Sequence, residues 1–177
     1  MRKLKLQELG RKTVEEYKAS DKIPLVVVCD NIRSGMNVGS IFRTCDSFAV
    51  ERLYLTGISP VPPNKEINKT AIGAMDAVDY QYFETTKEAI NHLQKEGFKI
   101  VIIEQTTDSQ PLSEYSNNWG KVAIVLGNEV NGVSEEILED IDLAVEIPQY
   151  GTKHSLNVAV CAGIIIHSFS EHLRINS

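Results

Sequence analysis

The sequence predicts an α/β domain built on a mostly parallel sheet with helices on both faces. Short, wholly apolar runs rich in β-branched residues recur, such as Leu25-Val26-Val27-Val28-Cys29 and Val122-Ala123-Ile124-Val125-Leu126. A strand that is apolar on both faces is buried on both faces, as parallel strands are. Segments with helical spacing separate these runs, which is the alternation of a sheet covered by crossover helices. The chain has 177 residues, 42% of them apolar and 24% charged. That is enough for one domain with a substantial core, and too apolar for a disordered chain.

The elements follow in order. Residues 1–22 read as a basic, helical N-terminal extension ahead of one domain over 23–177. Leu25 to Cys29 is the first strand. Val38, Ile41, Phe42, Cys45 and Phe48-Ala49 then recur at helical spacing. Leu53-Tyr54-Leu55 is the next strand, ended by Gly57, and a loop with Pro60, Pro62 and Pro63 follows. Thr85 or Thr86 caps a helix through Ala89, Ile90 and Leu93, with Gly97 at its end. Ile100 to Ile103 and Val122 to Leu126 are strands. Ser134-Glu135-Glu136-Ile137 opens a short helix with acids where the helix dipole favours them. Leu143 to Ile147 is a strand stopped by Pro148. Leu156 to Leu173 is a closing helix, expected to be buried over its apolar part as far as Ile166.

Several chemistries lose their support. The longest apolar run, Val158 to Ile166, has nine residues, and a membrane span needs about 20. No apolar h-region follows Met1-Arg2-Lys3-Leu4-Lys5, so no secretory signal is expected. Three cysteines (Cys29, Cys45, Cys161) without CxxC spacing argue against a disulfide framework or a metal site and fit a reducing cytoplasm. No Gly-x-Gly occurs, so the dinucleotide fingerprint is missing. There is no P-loop, HExxH or GxSxG either. Charge is uneven. The net is -6, yet residues 1–69 hold 12 Lys/Arg against 8 Asp/Glu. A local basic surface can contact polyanions, because such contacts are screened within about 10 Å.

Three polar clusters each follow a strand, where open α/β sheets place their sites. The first runs from Asn31 to Arg43. Asn31 and Asn37 read as turn and cap residues, and Arg43 either as a solvated helix position or as a guanidinium that can reach back toward the strand ends and grip a phosphate. The second is Gly127-Asn128-Glu129-Val130-Asn131-Gly132, with an acid between two glycines that let backbone approach closely. The third is Ile147 to Asn157. There Ser155 reads as the helix cap, and Asn157 as a polar side chain that needs a partner from a ligand or a neighbouring loop. Any one cluster has an ordinary structural reading. Three together, with complementary side chains, do not.

These residues carry a resemblance. Asn37-x-Gly39-x-x-x-Arg43-Thr44, then Gly127-x-Glu129-x-x-Gly132, then Ile147-Pro148-x-x-Gly151-x-x-x-Ser155-Leu156-Asn157-Val158 resemble the three motifs of the SpoU (TrmH-like) family of SPOUT RNA ribose 2′-O-methyltransferases. Motif order and spacing match over nearly all of the chain after residue 24. Cys45 and Cys161 depart from the usual small residues, and Gln149 from the commoner Met. With Glu104-Gln105-Thr106, Gln149 resembles a branch acting on transfer RNA.

The resemblance implies a C-terminal deep trefoil knot, a homodimer with its site near the interface, and S-adenosyl-L-methionine as cofactor. It implies cofactor contacts from Gln105, Thr106, Gly127, Ile147, Ser155 and Leu156. It implies a catalytic set of Arg43, Asn37, Glu129, Ser155 and Asn157, with no metal and no membrane. The substrate would be RNA, most simply transfer RNA at a D-loop guanosine. Ribosomal RNA, or a non-catalytic RNA-binding module of the same fold, are the alternatives. The extra N-terminal RNA-recognition domain of many relatives is not expected here. The family proposal makes Arg43 the base, together with an RNA phosphate. A guanidinium is almost never deprotonated in proteins, so a cation that fixes the phosphate and stabilises the growing oxyanion is an equal reading.

Overall fold

The computed structural model describes residues 1–116 and 118–175. Seven strands form one sheet: β1 (Ile23–Asp30), β2 (Val50–Thr56), β3 (Tyr80–Phe83), β4 (Lys99–Ile103), β5 (Gln110–Pro111), β6 (Val122–Leu126) and β7 (Leu143–Glu146). Their spatial order is β3-β2-β1-β6-β4-β7-β5, and every pairing between them is parallel. All seven carboxyl ends therefore point the same way, and the loops after β1, β4, β6 and β7 gather at one edge.

Alternation along β1 divides the core. Leu25, Val27 and Cys29 face one layer, and Val26 and Val28 face the other, as a period of two requires. The first layer is α2 (Gly35–Phe48), α3 (Lys65–Ala71), α4 (Ala74–Ala77) and α6 (Val158–Ile175). The second is α5 (Thr86–Lys95) with a 3-10 turn at Glu135–Ile137. Helices thus cover both faces. Each fully buried Ile, Val, Leu or Phe contributes about 1.5–3 kcal/mol, and β1, β4 and β6 are the best-covered strands.

Local signals explain most boundaries. Thr85, not Thr86, caps α5. Its hydroxyl accepts from Glu88 N–H at 3.2 Å, and Glu88 accepts from Thr85 N–H at 3.4 Å. The N-terminal segment has a 3-10 turn at Leu6–Leu9 and α1 (Val14–Ala19), capped by Thr13. Tyr17 of α1 is seated in the first core layer.

The structure corrects three expectations. Segment 64–83 holds α3, α4 and β3, where the sequence pattern shows only a loop. The closing helix begins at Val158 rather than Leu156. Its apolar stretch is not buried throughout: Val160 is 54% and Ile164 40% exposed. One stripe of α6 packs on β1 and α2, and the opposite stripe faces outward.

Candidate active site

A pocket of about 570 Å³ opens at the carboxyl ends of β4, β6 and β7. Its walls are the loops 127–132 and 147–157, with Glu104 and Gln105 at the end of β4. Of the cofactor residues expected from sequence, Gln105, Gly127, Ile147, Ser155 and Leu156 line it. Gln105 also ties the walls together, its Nε2 donating to the His154 carbonyl at 3.2 Å. Thr106 does not line the pocket. It closes its own turn, accepting at Oγ1 from Asp108 N–H and donating its N–H to Ser109 Oγ.

The glycines of the second cluster serve the loop before any ligand. A Cβ on Gly127 would sit 2.4 Å from the Gly132 carbonyl carbon and from Val133 N. Gly132 has φ +70°, and a Cβ there would meet Glu104 Oε2 at 2.3 Å. Glu104 in turn accepts from Val133 N–H at 3.1 Å and Gln105 N–H at 2.9 Å.

Three side chains from three distant segments converge at the pocket rim. Glu129 accepts from Asn37 Nδ2 at 2.9 Å, from Arg33 N–H at 2.9 Å and from Ser34 N–H at 3.2 Å. Asn37 Oδ1 accepts from Asn157 Nδ2 at 3.2 Å. Burial alone would raise the Glu129 pKa. The donors Arg33 N–H, Asn37 and Ser34 N–H outweigh it and hold the carboxyl below its ordinary value. Glu129 is therefore an ionised acceptor that orders two loops, with little basicity left for proton abstraction.

The caps differ from those expected. Ser34 caps α2, its Oγ accepting from Asn37 N–H at 3.3 Å, so Asn37 lies inside the helix. Asn157 caps α6, its Oδ1 accepting from Ala159 N–H at 2.9 Å and Val160 N–H at 3.4 Å. Ser155 is not the cap and stands exposed on the pocket wall. Asn157 thus spends its carbonyl on the helix and its amide on Asn37.

Arg43 does not reach the strand ends. Six residues beyond Asn37 is about 9 Å along the helix and about 120° away around it. Arg43 is exposed and lines a second hollow with Lys69 of α3 and Gly163 of α6. Within one chain the structure brings together Asn37, Glu129, Ser155 and Asn157, and leaves Arg43 apart.

A buried hub beneath the rim is not evident from the sequence. Asp30 is fully buried. It accepts from Ser134 N–H at 2.6 Å, Ser134 Oγ at 2.8 Å, Thr86 Oγ1 at 2.6 Å and Asn31 Nδ2 at 2.9 Å. Asn31 takes φ +54°, and its carbonyl accepts from Asn128 Nδ2 at 2.6 Å. These bonds tie the loop after β6 to the end of β1. The available signal is a lone acid closing an otherwise apolar strand.

Cys161 lines the pocket, but burial and the nearby Glu104 push its thiol up to about 11. A raised pKa leaves little thiolate at neutral pH, which disfavours a nucleophilic role. Among the described residues no group of His, Cys, Asp and Glu is arranged to hold a metal.

Fold and site together define an α/β domain with an acid-lined pocket at the carboxyl edge of its parallel sheet. The model of the SpoU rRNA Methylase family matches residues 24–167, and the chain belongs to that family. A curated relative, the tRNA (guanosine(18)-2′-O)-methyltransferase of Aquifex aeolicus, is 33% identical over 81% of this chain and 67% of that protein. The crystal structure of the A. aeolicus TrmH/SpoU tRNA modifying enzyme superposes with a TM-score of 0.80 at 28% identity, over 92% of this chain and 81% of that one. An AdoMet-bound rRNA methyltransferase from Sinorhizobium meliloti shares the fold, with a TM-score of 0.79 at 24% identity over 90% and 60% of the two chains. The chain spans 64–70% of the length of three curated relatives that it matches.

Proposed function

We propose that the chain is an S-adenosylmethionine-dependent RNA ribose 2′-O-methyltransferase that acts on transfer RNA. The observation that carries this is the bonded set Asn37–Glu129–Asn157 at the rim of the strand-end pocket, built from all three family motifs. The A. aeolicus relative's name supports transfer RNA as substrate.

The pocket fits the cofactor chemically. A volume near 570 Å³ is within the ordinary range for a small-molecule site. Its lining carries Glu104, Glu129 and Glu146 and no Lys or Arg, which suits a ligand bearing a sulfonium and an ammonium. Gln105, Gly127, Ile147 and Leu156 would hold it, largely through backbone groups. When bound, S-adenosylmethionine supplies an electrophilic methyl group.

The protein's own part is position and electrostatics. Glu129 orders the Asn37 amide and the turn at Arg33-Ser34. Asn157 fixes Asn37 from the other side. Arg43 keeps its charge and lies apart from its own chain's pocket, so its role, to hold an RNA phosphate and stabilise the developing alkoxide, is exercised at the pocket of a second copy.

Two further features belong to the same proposal. The exposed stripe of α6, Val160 and Ile164, is the face for a second copy, which would complete the site near the interface. The C-terminal segment is threaded as a trefoil knot. What supports this reading is the Tyr115 ring, between β5 and β6, stacked 4.2 Å from Phe169 of α6, while α6 itself packs on β1 and α2.

Calorimetry with S-adenosylmethionine, followed by nucleoside mass spectrometry of transfer RNA transcripts, tests the reading. Binding and a new ribose-methylated nucleoside are expected. Binding without transfer to any RNA would make the chain a non-catalytic module. Transfer to ribosomal RNA alone would correct the substrate. Light scattering at micromolar concentration should give a dimer mass.

A further inference from the structure

The two loops that frame the pocket each hold an apolar side chain in solvent. Val130 is 71% exposed and Tyr150 is 96% exposed. A tyrosine ordinarily buries its ring and wets only its hydroxyl. Among the described residues Tyr150 has no hydrogen bond or ring contact, so nothing within the chain accounts for the ring's place. Its neighbour Gln149 lines the main pocket, and Gly151, Lys153 and His154 line a shallow hollow beside it. Lys153 and, next to Glu129, Arg33 are exposed cations, and among the described residues neither side chain has an ion pair.

Resting on the methyltransferase reading above, we propose that Tyr150 stacks on the base of the nucleotide whose ribose is presented to the pocket. Lys153 and Arg33 hold the flanking phosphates. A ribose hydroxyl meets a pocket between two loops most directly when its base has left the RNA stack, and an aromatic face replaces the lost stacking. Every base has a π-face, so Tyr150 supplies affinity and leaves base identity to other groups.

The test compares the full-length wild type with Tyr150→Phe and Tyr150→Ala, using transfer RNA transcripts and tritiated S-adenosylmethionine. Tyr150→Ala should raise the KM for RNA and weaken RNA binding about 5- to 150-fold, the span of base-stacking aromatics, with Tyr150→Phe near wild type. Cofactor affinity should be the same in all three. A single-stranded RNA bearing 2-aminopurine should lose fluorescence on binding the wild type and the Phe variant, and keep it with the Ala variant.

Unchanged RNA affinity and quenching in Tyr150→Ala would overturn the proposal while leaving the methyltransferase reading intact. Loss of the dimer mass in Tyr150→Ala would assign the ring to a second copy and overturn it too. A wild type that binds cofactor and transfers no methyl group would overturn both readings together.

Discussion

The pocket at the strand ends is lined by Glu104, Glu129 and Glu146 and by no Lys or Arg. The hollow between α2, α3 and α6 is lined by Arg43 and Lys69 and by no acid. Its hydroxyl donors are already spent on backbone. Ser40 and Thr70 donate to the Met36 carbonyl, Thr44 to that of Ser40 and Ser47 to that of Arg43. Only the two cations are left to meet an anion. Lys69 touches Glu66 at 3.2 Å, but so exposed a pair is weak. On the proposed function, the two hollows separate the two charges that methyl transfer to RNA must handle, a cationic cofactor and an anionic substrate. Were they merged, Arg43 would pair with a carboxylate and be lost to phosphate.

The largest test of that separation is Arg43→Ala. Methyl transfer should fall about 100- to 1,000-fold, the loss typical of removing one stabiliser of developing charge. Cofactor affinity, read by calorimetry, should stay within a few-fold. Loss of cofactor binding with the fold intact would join the two hollows into one site.

Next is Asn157→Ala, which removes both the α6 cap and the link to Asn37. Urea unfolding should show a loss of about 1 kcal/mol for the cap. Asn157→Ser keeps a capping oxygen and drops the amide. It should recover most of the stability and little of the activity. Parallel recovery of both would make Asn157 a cap and nothing more.

Smaller again is the acid response of the pocket. The folded pKa of Glu129 lies below its ordinary value of 4.5. The stability it contributes is therefore present above about pH 4.5 and is lost as pH falls through the folded value. Glu129→Gln should flatten the pH dependence of unfolding below 4.5 and leave it unchanged near neutrality. An unaltered acid limb would mean that the Asn37, Arg33 and Ser34 donors do not hold the carboxylate in solution.

The smallest effect concerns the basic N-terminus. Neutralising Arg2, Lys3, Lys5, Arg11 and Lys12 should flatten the salt dependence of RNA binding. The log–log slope should shrink by about 0.7 for each single-strand phosphate that the variant no longer neutralises. All RNAs should weaken alike, and cofactor affinity should not move. Arg2 pairs with Glu8 at 2.6 Å, but both side chains are open to solvent, and such a pair yields readily to phosphate. An unchanged slope would shift the RNA path to Arg33, Lys65 and Lys153.

Strands β1 and β6 are legible in the sequence because their apolar runs are continuous and β-branched. Segment 64–83 is not. In α3 only Ile67 and Ala71 are buried, too few for a visible period, and β3 is an edge strand whose Tyr80 and Tyr82 face solvent. The motif residues are legible by type but less so by role. Asn157 looks like a polar intruder in an apolar helix because its capping position cannot be fixed without the helix start. Spacing points Arg43 at the strand ends because it does not say which way α2 runs from the sheet. Gly39 stands beside a ligand loop in sequence, yet a Cβ there would meet Thr70 Oγ1 at 2.2 Å and Ile67 O at 2.4 Å. It lets α3 cross α2 and is not among the residues that line the strand-end pocket.

The bond between Asn37 and Asn157 closes a span of 120 residues. During synthesis the pocket rim therefore cannot exist until Asn157 has left the ribosome. Non-local contacts of this kind are the last and slowest to assemble. A small molecule that occupies the pocket recognises finished molecules and ignores partial ones, so it acts as a quality gauge. It stabilises only the finished molecules, by an amount that grows with the logarithm of free ligand over Kd, and the amount bound at saturation would count the correctly completed fraction of any preparation, including variants whose secondary structure looks normal.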